Sequence, residues 1–129
     1  MKPTLTQSGS TRPTKLAPAG RHALADFHGV CPELLQDEQR LMSLFTEALE
    51  RHGFHQLGQQ SHKFPGPGGV TGFVLLSESH AAFHSYPEVG FIAVDVFSCG
   101  MADPAPVIQA LCEVFQPDDL QLHVHRRGH

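Results

Sequence analysis

The stretch Val70–Gly100, VTGFVLLSESHAAFHSYPEVGFIAVDVFSCG, decides the fold class and frames the chemistry. Its apolar parts, Val70–Leu76 and Val89–Phe97, are rich in β-branched and aromatic residues, the composition of strands. Between them, Ser77–Glu88 reads as a turn that holds reactive side chains between two rigid elements. A Glu78–Ser79 peptide bond is followed by an imidazole five residues after the serine (His84), a carboxylate nine after (Glu88) and a thiol twenty after (Cys99). Serine, histidine and cysteine without an accompanying metal set point to covalent chemistry, with the backbone itself as a candidate substrate.

Outward from that core, Leu41, Leu44, Phe45, Ala48 and Leu49 fall at i, i+3, i+4, i+7 and i+8, the apolar stripe of a helix. Asp37 is its expected N-cap, with Pro32 able to start a turn earlier, and Gly53 stands where a left-handed residue releases the chain. Ala23, Ala25 and Phe27 alternate with His22, Leu24, Asp26 and His28, a strand closed by Gly29. Phe54–Gln59 reads as a short strand, and the run Phe64–Gly69 as a Pro/Gly loop. Asp103-Pro104 resembles an N-cap with Pro at the first helical position, opening a helix through Val107, Leu111, Val114 and Phe115. Leu120, Leu122 and Val124 alternate with Gln121, His123 and His125 in a last strand. The order β-α-β-β-β-α-β lacks a regular βαβ repeat, so the expected fold is an α+β two-layer sandwich. Two helices cover one face of a mainly antiparallel sheet. The other face needs cover, which predicts a dimer.

The chain has 129 residues, enough for one domain. Residues 1–20, rich in Ser, Thr, Pro and Gly, read as a flexible extension, and 21–129 as the domain. A formal charge of −4 gives no basic footprint, so nucleic acid is not an expected partner. No run approaches the roughly 18 apolar residues of a membrane span. Three cysteines without a secretory leader predict reduced thiols and a cytoplasmic protein.

The run Leu76-Ser77-Glu78-Ser79-His80, then His84-Ser85-Tyr86-Pro87-Glu88-Val89-Gly90, then Asp95-Val96-Phe97-Ser98-Cys99-Gly100, closely resembles the small prokaryotic S-adenosylmethionine decarboxylase proenzymes. Gly20-Arg21-His22, His62-Lys63-Phe64-Pro65 and Gly69-Val70-Thr71-Gly72 match that family's pattern in the same order. Thr71 stands where the family commonly has serine, which keeps the hydroxyl. The loop between Phe64 and Thr71 is longer and richer in Gly and Pro.

The resemblance implies a self-cleaving, pyruvoyl-dependent enzyme acting on S-adenosylmethionine, working as a homodimer, without metal or pyridoxal phosphate. The hydroxyl of Ser79 can attack the carbonyl of Glu78, turning the amide into an ester. Elimination and loss of ammonia then leave a pyruvoyl group at position 79. In the family's pattern His84 removes the Cα proton, and the Thr71 hydroxyl supports the oxyanion formed earlier. A ketone conjugated to an amide can form an imine with a substrate amine and act as an electron sink, as pyridoxal phosphate does elsewhere. Cys99 is then the proton donor to the substrate Cα, Glu88 the carboxylate that binds the ribose hydroxyls, and Phe64 a ring that stacks on adenine. Cys31 and Cys112 read as buried structural cysteines.

Four other readings compete. His80, His84, His123 and His125 suggest a zinc site, yet no CxxC or HExxH accompanies them. A hydrolase using Ser79, His84 and Asp95 lacks the G-x-S-x-G elbow. A non-catalytic binding module predicts a chain that stays intact. Within the same scaffold, a pyruvoyl enzyme acting on L-ornithine or L-arginine is the nearest alternative.

Overall fold

The computed structural model describes residues 20–100 and 102–128; the expected extension lies outside them, except Gly20, which opens the first strand. Six strands form one sheet: β1 (Gly20–His28), β2 (Gln56–Lys63), β3 (Val70–Leu76), β4 (Ser79–Tyr86), β5 (Phe91–Cys99) and β6 (Asp119–Arg127). Their order is β2-β3-β4-β5-β1-β6, and every neighbouring pair is antiparallel. Three helices, α1 (Pro32–Leu35), α2 (Glu38–Arg51) and α3 (Ala105–Phe115), complete the protomer.

The core fills the space between one sheet face and α2 and α3. Ala23, Ala25 and Phe27 of β1, Ala81 and Phe83 of β4, and Ile92, Val94 and Val96 of β5 alternate inward. They meet Leu41, Phe45 and Leu49 from α2 and Val107, Ile108, Leu111 and Phe115 from α3. Phe83 packs edge-on to Phe45 with ring centroids 5.0 Å apart. Gly72 makes room for it, since a Cβ there would lie 2.3 Å from the Phe83 ring. The Asp37 side chain caps α2 by accepting from the Arg40 N–H at 3.1 Å, and Gly53 leaves the helix at φ 90°, as the sequence predicts.

Three expectations need correction. Ser77–Glu88 is not one turn: only Ser77 and Glu78 turn the chain, Ser79–Tyr86 form a strand, and Pro87–Val89 a single 3₁₀ turn. Alternation is present there, with Ala81, Phe83 and Ser85 facing the helices and His80, Ala82 and His84 facing away. Small and polar residues on both faces disguise it. Strand β2 runs on to Lys63 rather than ending at Gln59, because its side chains lie at the sheet edge and need no apolar pattern. Helix α3 begins one residue later than expected, with Asp103 accepting from the Ala105 N–H at 3.0 Å and Pro104 standing at the cap.

Among the described residues, no element covers the sheet face opposite the helices. Phe73 is 43% exposed and Leu75 48%, both large apolar residues on a central strand.

Candidate active site

The candidate residues gather at the two ends of the sheet. At one end, β3 and β4 join through the two-residue turn Ser77-Glu78, with Leu76 paired to Ser79. Glu78 adopts φ 61°, the left-handed region, at a cost of roughly 1–2 kcal/mol for a residue with a Cβ. Ser79 opens β4, half-buried, and its hydroxyl donates to the Ser77 carbonyl at 3.3 Å. Next to it His80 pairs with Phe97 of β5. Cys99, two residues beyond Phe97, therefore projects from the face that carries His80, at this same end of the sheet, and it is exposed.

The other end holds Thr71 and His84. They are direct cross-strand partners, and Thr71 Oγ1 lies 3.0 Å from His84 Nδ1. The His84 ring stacks on Tyr86 at 4.7 Å and on Phe64 at 6.2 Å, and Phe64 meets His62 edge-on at 4.8 Å. Glu88 sits in the 3₁₀ turn after β4 and lines a hollow of about 390 Å³ with Gln36, Pro65, Pro67, Gly68 and Pro87. Buried Ser85 secures this end: its hydroxyl donates to the Leu35 carbonyl at 2.7 Å and accepts from the Val70 N–H at 2.9 Å.

A single protomer thus does not assemble the residues that the sequence groups together. Five steps of a strand separate Ser79 from His84, about 16 Å at roughly 3.3 Å per residue. Ser79 and Cys99 lie at one end of the sheet; Thr71, His84, Phe64 and Glu88 lie at the other. Nor do Ser79, His84 and Asp95 make a hydrolase triad, because the Asp95 carboxylate bonds His22 Nε2 at 2.8 Å. Cys31 is exposed, not buried, and donates its thiol to Glu33 Oε1 at 3.1 Å; that bond holds the Glu33 carboxyl below its usual range.

One contact at the first of these ends escaped the sequence reading. His22, Asp95 and Arg127 meet beside Phe97, with Arg127 Nη1 3.2 Å from His22 Nδ1. The available signal was a carboxylate, Asp95, inside an otherwise apolar central strand. His22 and Arg127 gave none, since their proximity arises only from strand order.

Comparison with known proteins settles the family. Residues 21–128 match the family described as S-adenosylmethionine decarboxylase. The chain belongs to that family. A proenzyme of that name from Archaeoglobus fulgidus is 36% identical over 112 residues, covering 84% of this chain and 97% of that one. One from Brevibacillus brevis is 43% identical over 100 residues, covering 77% and 74%. An arginine decarboxylase proenzyme from Ignicoccus hospitalis is 33% identical over 130 residues, covering 99% and 90%. The crystal structure of the adenosylmethionine decarboxylase from Aquifex aeolicus superposes with a TM-score of 0.78 at 30% identity, covering 88% of this chain and 94% of the other. As a member of the S-adenosylmethionine decarboxylase family, the chain belongs to a class of carbon–carbon lyases. Among the described residues no helix is long and apolar enough to cross a membrane.

Proposed function

We propose that this chain is a self-processing, pyruvoyl-dependent S-adenosylmethionine decarboxylase that supplies the aminopropyl donor for spermidine synthesis in the cytoplasm. It would be cleaved between Glu78 and Ser79 and act as a homodimer. The observation that carries this reading is the Glu78 conformation: a strained residue immediately before a serine, at the tip of a two-residue turn. Attack by the Ser79 hydroxyl on the Glu78 carbonyl relieves that strain, whereas a relaxed planar amide resists it. The hydroxyl now donates to Ser77, so a rotation about χ1 must redirect it before reaction.

The Thr71–His84 pair supplies what processing needs, a hydroxyl to stabilise an oxyanion and an imidazole to take the Cα proton. Both lie too far from Ser79 within one protomer. A second copy packed face to face, about 10 Å away and related by a two-fold axis, brings the Thr71–His84 end of one chain over the Ser79–Cys99 end of the other. The uncovered Phe73 and Leu75 favour such burial.

Residue 79 would become the pyruvoyl group, since it opens a strand directly after the turn, at the end of the sheet that also carries the exposed Cys99 thiol. Bound there, the ketoacyl group supplies an electron sink for loss of carbon dioxide. Cys99 would return a proton to the substrate Cα. Glu88 would accept both ribose hydroxyls, and Phe64, 41% exposed, would stack on adenine.

A second reading, decarboxylation of L-arginine or L-ornithine by the same machinery, is favoured by the Ignicoccus hospitalis relative and its name. One pair of measurements separates the readings. Intact mass of the purified wild-type chain is expected to show two pieces meeting at 78/79. Carbon dioxide release is expected from S-adenosylmethionine; release from arginine or ornithine alone transfers the assignment, and an uncut chain overturns both.

A further inference from the structure

The cluster around Phe97 has no part in the chemistry assigned so far. Gly20 of β1 lies between Cys99 of β5 and Arg127 of β6, opposite each of them in the ladder. All three share the open face. Gly20 contributes no side chain, and a Cβ there would stand 2.6 Å from the Phe97 ring, so the ring occupies the gap. Arg127 reaches across β1 from the edge strand, its guanidinium carbon 5.7 Å from the centre of that ring. A pocket of about 400 Å³ opens there, lined by His80, Phe97, Arg127 and Gly128.

The hydrogen bonds fix what this pocket offers. A guanidinium only donates, so His22 Nδ1 accepts from Arg127, and His22 Nε2 must donate to Asp95. His22 is thereby a neutral imidazole that stands between the Asp95 carboxylate and the guanidinium, so the two charges do not pair directly and the guanidinium keeps free donors. Among the described residues no carboxylate lies within ion-pair distance of Arg127. His22, His80 and Asp95 hold ligand atoms within 4.8 Å of one another, as a metal would ask. The guanidinium disfavours that role by taking up His22 and adding positive charge beside the trio. Two other described cations are engaged elsewhere: Lys63 bonds the Phe64 and Gly66 carbonyls, and Arg21 faces Asp103 on the helix side.

We infer that Arg127, held over Phe97 and braced by the His22–Asp95 pair, is the subsite for the α-carboxylate of the amino-acid substrate. The inference rests on the pyruvoyl decarboxylase reading. A substrate that reacts at residue 79 through its amine and takes a proton from Cys99 at Cα carries its carboxylate on that same carbon. The carboxylate must therefore lie at this end of the face, where Arg127 presents a planar fork suited to two oxygens. That charge leaves as carbon dioxide, so the guanidinium stabilises bound substrate more than the transition state. Its loss belongs on KM rather than kcat.

The test compares Arg127→Met and Arg127→Lys with wild type, each first checked for chain cleavage by intact mass. For S-adenosylmethionine, Arg127→Met is expected to raise KM about 10- to 100-fold, the range of a charge-assisted hydrogen bond, with partial recovery in Arg127→Lys. The inhibition constant of decarboxylated S-adenosylmethionine, which lacks the carboxylate, is expected to stay within about twofold of wild type. Equal weakening of both ligands, as a purely structural pin on β6 would give, overturns the subsite; so does an unchanged KM. Wild type that turns over only arginine is assayed with arginine and agmatine under the same criteria. Wild type that turns over no amino acid sinks the parent reading and the subsite together.

Discussion

Glu78 bears a side chain in a backbone conformation that glycine adopts freely, directly before the serine proposed to break the chain. Its strain can be measured apart from the chemistry. In a Ser79→Ala background, which blocks cleavage, Glu78→Gly is expected to stabilise the chain by about 1 kcal/mol in urea unfolding. A destabilised double variant would show that the left-handed turn is not strained. Ser79→Ala alone is expected to abolish cleavage and activity together. Cys99→Ala should leave cleavage largely intact and lower turnover at least about 100-fold, the scale of a lost proton donor. Equal loss of both functions in the cysteine variant would remove Cys99 from its late role. At this scale the sequence was legible: a Glu-Ser bond with His84, Glu88 and Cys99 at fixed offsets needs no coordinates to be noticed. The His22–Asp95–Arg127 contact was not, because His22 and Arg127 lie 105 positions apart and meet only through the pairing of β1 with β6.

Among the elements, β4 was the one the sequence hid. Its outward face is built from His80, Ala82 and His84, which read as turn or site residues because an uncovered face of a protomer looks polar. The strand order has a direct consequence for processing. Scission at 78/79 would leave β1, β2 and β3 on one piece and β4, β5 and β6 on the other. In the sheet, β1 lies between β5 and β6, and β3 between β2 and β4, so the pieces interleave through two separate regions. Backbone ladders on both flanks of β1 then hold the cut chain together. The two pieces are expected to co-elute in gel filtration and to part only in denaturant. Recovery of either piece alone under native conditions would contradict the topology.

At the scale of the whole molecule, the proposed chemistry asks for a second copy of the chain. The two groups of residues sit at opposite ends of the sheet, one face of which no described element covers, and a two-fold partner is the simplest arrangement that would unite them. Co-expression of Ser79→Ala and His84→Ala chains tests this directly. In a mixed dimer, one of the two sites would regain an intact serine opposite an intact histidine. The His84→Ala chain is then expected to be cut, although neither variant is cut when expressed alone. No cleavage in mixed dimers confirmed by native mass spectrometry would place the whole site within one chain. Phe73→Asp, which puts a charge on the open face without touching either cluster's proposed chemistry, is expected to shift the protein toward monomer and slow its cleavage.

Local pattern alone determined the α+β class, the capped helix α2, the apolar strand β3 and most of β5, which begins at Phe91 rather than Val89 and runs on to Cys99, and it singled out the residues proposed as reactive. Each of these depends on residues close in sequence, where periodicity and side-chain chemistry act directly. Tertiary structure decided the rest: that β1 inserts between β5 and β6, that β4 is a strand, that Ser79 and His84 are a strand's length apart, and that Arg127 lies over Phe97. Those facts follow from which strands pair and in what register, and pairing is chosen by burying one face of the whole sheet at once, a condition no short segment contains.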